Sequence, residues 1–344
     1  MAEEKVRLAL TVGDPGGIGP EITGALLAQR KLIGADVFLV GAYSALSKWL
    51  AIPACKTAHV VSHDEALTLA PQESFPVFVD TGAGVLYARG RPTPEGGRAS
   101  GLAVEAAAAL AKRGLVEGIV TGPVSKEALA MAGYRYRGHT DMLASLFEAP
   151  DCQMMMVSGA LRVVILTRDV PLQEVPGAVT GARLTAGVRV TAASLRELWG
   201  ITSPRIAVAA LNPHCGDGGA LGNEERETII PALDALRGEG IRVDGPFSAD
   251  TLFYNWQHKG YDAYIALYHD QGMIPFKLSG FETGVNMTVG LPIVRTSVCH
   301  GTAYDIAGSG TAGTGSLESA FSLAIECCLA GRRAAARRER DRKA

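Results

Sequence analysis

The sequence predicts an α/β protein of two domains built on mostly parallel sheets. Short apolar runs alternate with helical stretches along the whole chain, the pattern of strands covered by helices on both faces. Its 344 residues suffice for two substantial cores. Its 41 glycines exceed the roughly 7% of an average chain. They cluster after the apolar runs, where backbone must turn tightly or approach a ligand.

Taken in order, Leu8 to Val12 reads as a buried strand and Pro20 to Gln29 as a helix with proline at its first position. Val37 to Val40 and Val77 to Val79 are strands. Ser100 to Arg113 is an alanine-rich helix stopped by Gly114, and Ile119-Val120 opens the next strand. The second half repeats the style. Strands are expected at Met154 to Val157, Val163 to Leu166, Ile206 to Leu211 and Tyr264 to Leu267, with helices at Leu184 to Leu198 and Glu224 to Leu236. The arginine-rich tail from Gly331 to Ala344 reads as a solvated helix end or frayed tail.

Charge and composition exclude several classes. A formal net charge of -2 gives no global field to recruit nucleic acid or an anionic membrane. No apolar run reaches the roughly 18 residues of a membrane span. The acidic opening Met1-Ala2-Glu3-Glu4-Lys5 leads straight into a strand, which predicts no signal peptide. Cys55, Cys152, Cys215, Cys299, Cys327 and Cys328 form no CxxC pair, so they read as reduced, cytoplasmic thiols rather than a zinc knuckle.

Three of the predicted strands end in a possible metal ligand. Val163 to Leu166 leads to Asp169, Ile206 to Leu211 to His214, and Tyr264 to Leu267 to His269. Functional groups collect beyond the carboxyl ends of strands in open α/β sheets. A carboxylate and two imidazoles there can hold a divalent cation with positions open for substrate. Taken singly, a histidine after a strand is also a common structural residue.

Gly13-Asp14-Pro15-Gly16-Gly17-Ile18-Gly19-Pro20-Glu21 follows the first strand but lacks the GxGxxG spacing of a Rossmann loop. Paired with His300-Gly301-Thr302-Ala303-Tyr304-Asp305-Ile306-Ala307-Gly308-Ser309-Gly310, it resembles the isocitrate and isopropylmalate dehydrogenase superfamily of decarboxylating hydroxyacid dehydrogenases. Five further stretches narrow the resemblance: Gly138-His139-Thr140-Asp141, Leu211-Asn212-Pro213-His214, Gly245 to Thr251, Tyr268-His269-Asp270-Gln271-Gly272, and Asn286 through Gly301. In order and over nearly the whole chain, they are similar to the 4-hydroxythreonine-4-phosphate dehydrogenase (PdxA) family of pyridoxal phosphate biosynthesis.

The resemblance implies two α/β domains of isocitrate/isopropylmalate dehydrogenase-like architecture, with the active site in the interdomain cleft. It implies a discontinuous nicotinamide-cofactor domain, residues 1–135 plus 297–331. A substrate, metal and dimerisation domain spans 136–296, and a basic tail 332–344. Cofactor contacts map onto Gly13, Ile18, His300, Gly301, Thr302, Ala303 and Asp305. Substrate and phosphate contacts map onto His139, Thr140, Lys277, Asn286 and Arg295, and cations with neutral donors suit a phosphate. The metal (Mg, Mn, Co or Zn) maps onto Asp169, His214 and His269, at a site shared across a cytoplasmic homodimer.

The implied reaction oxidises a hydroxyacid with NAD or NADP and releases carbon dioxide from the resulting β-keto acid. Lys126 and Asp250 are candidate bases, although Asp250 also suits the cap of a helix beginning near Thr251. Two departures bear on the substrate. Asp169 replaces a histidine of the family's best-known members, and an oxygen donor shifts preference toward harder ions. Ser125, in Gly122-Pro123-Val124-Ser125-Lys126, replaces another histidine. Relatives with such changes act on four-carbon sugar-acid 4-phosphates (threonate, erythronate) or on cis-dihydrodiol dicarboxylates. The competing classes are a cofactor-free metal lyase or hydrolase, a phosphotransacylase-like enzyme, and a non-catalytic ligand-binding homologue.

Overall fold

The computed structural model describes residues 5–47, 59–68, 76–82 and 88–343; Cys55 lies outside them. The contacts divide the chain into two units, residues 1–150 with 291–329, and residues 151–290 with 330–344. The sequence places those boundaries near 135 and 297. Helix His139–Leu146 packs on the long helix of the first unit, and strand Val294–Val298 pairs within that unit's sheet. These contacts draw both segments into it.

In the first unit, β1 (Val6–Thr11), β2 (Ala35–Gly41), β3 (His59–Ser62), β4 (Val77–Asp80), β5 (Gly118–Thr121) and β12 (Val294–Val298) lie in the order β3-β4-β2-β1-β5-β12. Every pairing is parallel. The helices are α1 (Gly19–Ala28), α2 (Tyr43–Leu46), α3 (His63–Ala66), α4 (Pro94–Lys112), α5 (Lys126–Met131) and α6 (His139–Leu146), with the first part of α12 (Gly315–Lys343). Near-continuous burial along β1, β2 and β5 follows from being covered on both faces.

Helix α4 starts six residues before the expected Ser100. Thr93 caps it by accepting from the Gly96 amide at 3.0 Å, with Pro94 following. The pair Gly96-Gly97 hides this first turn from a propensity reading. Gly97 is there because α5 passes so close that a Cβ would overlap the Ala128 carbonyl.

The second unit orders its strands β11-β6-β7-β10-β8-β9. These are β6 (Gln153–Ser158), β7 (Leu161–Thr167), β8 (Arg205–Ala209), β9 (Arg242–Phe247), β10 (Ala263–Tyr268) and β11 (Val285–Val289). Its helices are α7 (Val175–Ala178), α8 (Gly181–Leu198), α9 (Ile230–Gly238), α10 (Ala249–Leu252) and α11 (His269–Gly280), with the end of α12. Pairing here is again mostly parallel, the exception being β6, which runs antiparallel to both β11 and β7. Only Gly159-Ala160 separates β6 from β7, too short for a crossover helix, so the two close as a hairpin. The basic tail is helical as far as Lys343. Among the described residues no helix is long and apolar enough to cross a membrane.

Candidate active site

β10 is hydrogen-bonded in parallel to β7 on one side and β8 on the other. The three residues that follow these strands therefore leave the same edge of the sheet, with adjacent strands about 4.8 Å apart. Asp169 lies two residues past β7, His214 in the turn after β8, and His269 at the first position of α11. All three are exposed.

Buried polar side chains hold these loops. Thr167 Oγ1 donates to the Leu267 carbonyl at 2.6 Å. Gln271 accepts from the Leu267 amide and donates to the Ala210 carbonyl, both at 2.7 Å. The buried Glu225 carboxylate accepts from the Leu211 and Asn212 amides at 2.8 and 2.7 Å and from Asn212 Nδ2 at 2.9 Å. Past that anchor His214 sits at φ 53°, first of six consecutive residues with positive φ, His214 to Gly219. Such a conformation costs about 1–3 kcal/mol at a non-glycine residue and marks a loop held for a purpose other than stability.

His269 Nδ1 is 2.6 Å from Asp270 Oδ1, which orients the ring and leaves Nε2 as the outward nitrogen. Asp250 accepts from Ser248 Oγ at 2.7 Å. That bond first, and then the Thr251 amide and the field of His214, keep its carboxyl below the usual range. Asp250 lies inside the first turn of α10 rather than at its cap, which is Ser248. Burial, with Glu225 and Asp250 adding, pushes the Cys215 thiol up, as suits a filler residue. Cys152, Cys215, Cys299, Cys327 and Cys328 form no disulfide with one another.

As a donor set, one carboxylate and two imidazoles at one sheet edge fit a divalent cation. Among the described residues of the single chain, however, no three His, Cys, Asp or Glu side chains gather as a metal site. Lys277 is exposed on α11, its Nζ 5.6 Å from the Phe281 ring centre. Asn286 on β11 buries an Oδ1 that no described residue hydrogen-bonds.

In the first unit, Arg295 on β12 is 1% exposed, and its Nη2 donates to Thr121 Oγ1 on neighbouring β5 at 2.7 Å. His139 opens α6 after Gly138. Burial first, then the Arg295 charge, pushes its imidazole well below the ordinary value, so it is neutral. Its buried Nε2 has no hydrogen-bond partner among the described residues. Thr140 follows on the same helix turn. The Lys126 stem reaches the same spot, 3.8 Å from where a Cβ on Gly138 would sit. The structure thus brings together His139, Thr140, Arg295 and Lys126, whereas Lys277 and Asn286 belong to the other unit.

The two glycine-rich segments, nearly 300 residues apart, also meet. The Ile18 amide donates to the Thr302 carbonyl at 2.9 Å. Tyr304 donates to the buried Asp14 at 2.8 Å, and Ser125 joins the same hydroxyl. Burial pushes the Asp14 carboxyl up against the pull of that bond and of the Gly16 amide. Glu21, also buried, accepts from the Gly308 and Ala312 amides at 2.8 and 3.2 Å. Gly13, at φ +82°, is needed for packing, since a Cβ would strike the Pro123 carbonyl. Gly301 instead opens on free space, His300 Nδ1 lies 2.9 Å from the Gly301 carbonyl, and Asp305 is exposed. This anchored loop with an open rim fits a nicotinamide cofactor's extended surface.

Sequence reading missed Asp14, Glu21, Thr121, Glu225, Gln271 and Tyr304. Tyr304 and Glu21 were visible within the two glycine-rich segments. Thr121 and Glu225 carried no motif signal.

Against known proteins, the family model described as "Pyridoxal phosphate biosynthetic protein PdxA" matches residues 34–324. The chain belongs to the PdxA family. A PdxA relative from Geobacter metallireducens, named 4-hydroxythreonine-4-phosphate dehydrogenase, is 42% identical over 95% of this chain and 96% of its own. The crystal structure of 4-hydroxythreonine-4-phosphate dehydrogenase from Klebsiella pneumoniae superposes with a TM-score of 0.81 at 37% identity, covering 94% of this chain and all of that one. A terephthalate 1,2-cis-dihydrodiol dehydrogenase from Burkholderia xenovorans is similar at 26% identity and a TM-score of 0.63, over 94% and 98% of the two chains. PdxA proteins are dehydrogenases, which implies a nicotinamide cofactor, and the family is metal-dependent.

Proposed function

We propose that this protein is a metal-dependent, NAD(P)-linked dehydrogenase that oxidises and decarboxylates 4-phosphohydroxy-L-threonine in pyridoxal phosphate biosynthesis. The observation that carries the reading is the pairing of near full-length similarity to 4-hydroxythreonine-4-phosphate dehydrogenases with a buried guanidinium, Arg295, beside a neutral His139. A guanidinium presents a planar fork of donors, and a phosphate is an apt acceptor for it.

In this reading Arg295, His139 and Thr140 bind the phosphate, with Lys277 and Asn286 as further contacts. Their binding energy positions the reacting carbon. The loop of Gly13, Ile18, His300, Gly301, Thr302, Ala303 and Asp305 holds the cofactor. Asp169, His214 and His269 hold the metal, completed across a homodimer. The metal would polarise the substrate alcohol and stabilise negative charge. Lys126 takes the alcohol proton. Asp250, with its lowered pKa, is poorly matched to accept a proton at neutral pH and instead places a negative charge within the field of His214. Ser125, bonded to Tyr304, borders this region.

A second reading keeps the mechanism and changes the substrate to a four-carbon sugar-acid phosphate or a cis-dihydrodiol dicarboxylate. The observations favouring it are Ser125 and Asp169, together with the similarity to the dihydrodiol dehydrogenase. The test is nicotinamide reduction by metal-stripped protein resupplied with Mg, Mn, Co or Zn. Metal-dependent reduction with 4-phosphohydroxy-L-threonine supports the first reading. Reduction only with threonate or erythronate 4-phosphate, or with a dihydrodiol dicarboxylate, reassigns the substrate.

A further inference from the structure

Tyr304 lies in the cofactor loop between two anchors. Before it in the chain, the Ile18 amide donates to the Thr302 carbonyl at 2.9 Å, and Gly17 passes so close that a Cβ would sit 2.7 Å from that carbonyl oxygen. After it, Glu21 accepts from the Gly308 and Ala312 amides. The loop is therefore held on both sides of Tyr304, and the Tyr304 hydroxyl makes a different connection.

That hydroxyl has one proton to give, and it goes to Asp14 Oδ2 at 2.8 Å. In the bonds it shares with Ser125 and Thr302 it is therefore the acceptor. Ser125 is the N-cap of α5, where its Oγ accepts from the Ala128 amide at 3.1 Å. Its own proton is left for Tyr304. The bonds run in one direction, from the Ala128 amide to Ser125, from Ser125 to Tyr304, and from Tyr304 to Asp14. The other Asp14 oxygen accepts from the Gly16 amide at 2.8 Å.

Asp14 is 1% exposed, and among the described residues no cation pairs with it. Burying a carboxylate in this way is costly, and well-packed apolar residues of similar volume often hold such segments as well or better. What an apolar contact lacks is direction. The bonded chain fixes where Ser125 sits, and the next residue is Lys126, the first of α5.

We propose that Tyr304 is a positioning residue that, from the cofactor loop, fixes the start of α5 and with it the Lys126 amine. This rests on the reading of Lys126 as the base that takes the alcohol proton. With its own proton committed to Asp14, the Tyr304 hydroxyl acts on the reaction through Ser125.

Tyr304→Phe keeps the ring and removes the hydroxyl. A small misplacement of a reacting group is expensive, so kcat in nicotinamide reduction should fall by about 10- to 100-fold. Cofactor affinity, titrated by the fluorescence of NADH or NADPH, should stay at the wild-type value, because the loop keeps both anchors. Ser125→Ala should reproduce the fall in kcat, and Ser125→Thr should keep most of the turnover. The double variant Tyr304→Phe with Ser125→Ala should be no slower than the slower single one, as expected of residues in one network. Independently of turnover, the 13C resonance of Lys126 in reductively methylated protein, assigned with Lys126→Arg, should move in Tyr304→Phe. Val104→Ala, a buried truncation on α4, should lower the unfolding temperature and leave kcat and that resonance in place.

A folded Tyr304→Phe protein with wild-type kcat, or with an unmoved Lys126 resonance, would overturn the proposal. So would single-variant losses that multiply in the double variant, or a fall in kcat that Val104→Ala reproduces at equal destabilisation. A loss of cofactor affinity as large as the loss in kcat would make Tyr304 a third anchor of its loop instead. Lys126→Ala separates the two levels. If it turns over like wild type, the base assignment fails and the proposal falls with it. If it loses turnover while Tyr304→Phe and Ser125→Ala keep theirs, only the positioning role fails.

Discussion

Replacing Arg295 with lysine isolates what the guanidinium does that a charge alone does not. Arg295 is 1% exposed, and its Nη2 is bound to Thr121 Oγ1 at 2.7 Å. Lysine keeps the positive charge near His139 but loses the planar fork that binds two acceptors at once. One hydrogen bond to a charged group is worth about 1.5–3 kcal/mol. At about 1.4 kcal/mol per decade, its loss lowers kcat/KM by roughly 10- to 150-fold. If the fork binds the substrate phosphate, as proposed, the loss should fall mainly on KM. The assay is steady-state nicotinamide reduction with the phosphorylated substrate, with circular dichroism confirming the fold. Arg295→Met supplies the contrast. It removes the charge as well, so the His139 imidazole should titrate at higher pH than in wild type or Arg295→Lys, as read by NMR. A folded Arg295→Lys enzyme with kcat/KM within about threefold of wild type would make Arg295 a structural cation and undo the phosphate reading.

His139 carries a pH prediction of its own. Its folded value lies well below 6.5, so the unfolded chain takes up a proton first as pH falls. Its contribution to stability is complete above pH 6.5 and is lost as pH drops toward the lowered value. Urea midpoints measured above and below pH 6.5 should diverge less in His139→Gln than in wild type. Glu21→Gln weakens the carboxylate that holds the Gly308 and Ala312 amides. KM for the nicotinamide cofactor should rise about tenfold with little change for the substrate; equal KM values for the cofactor would detach Glu21 from that loop's function. Asp169→His should move the order of metal reactivation from Mg and Mn toward Co and Zn, and an unchanged order would remove Asp169 from coordination.

What the sequence made legible follows from how local the signals are. The apolar runs that became β1, β2, β4, β7, β8 and β10 are buried on both sides, so hydrophobic content alone marks them. Position just past the ends of β7, β8 and β10 marks Asp169, His214 and His269 in the sequence itself as sharing one edge. β9 was missed because Gly245-Pro246 interrupts it, and β3 because His59–Ser62 is too short to show a period. The apolar run of β6 marks it as a strand, but its antiparallel direction shows only in the two-residue link to β7. Tyr304 with Asp14, Glu21 with Gly308, and Arg295 with Thr121 are partners across half the chain or more. No spacing rule links residues so far apart. Gln271 lay in plain view inside a recognised stretch, yet its role depends on Ala210, which that stretch does not contain.

The first unit's sheet has a consequence for how the chain is made. β5 receives its second neighbour, β12, only when residues 294–298 arrive, after the whole of the second unit's main segment has been synthesised. At roughly 5–20 residues per second, that is on the order of ten to thirty seconds on the ribosome. During that interval a buried-type apolar strand presents an unpaired parallel edge, the kind of template that recruits other nascent chains. Residues 151–290 meanwhile form one uninterrupted segment that can condense without waiting. Release from the ribosome before β12 emerges should therefore yield a folded second half attached to an aggregating first half. Producing this protein well becomes a matter of protecting β5 until β12 arrives.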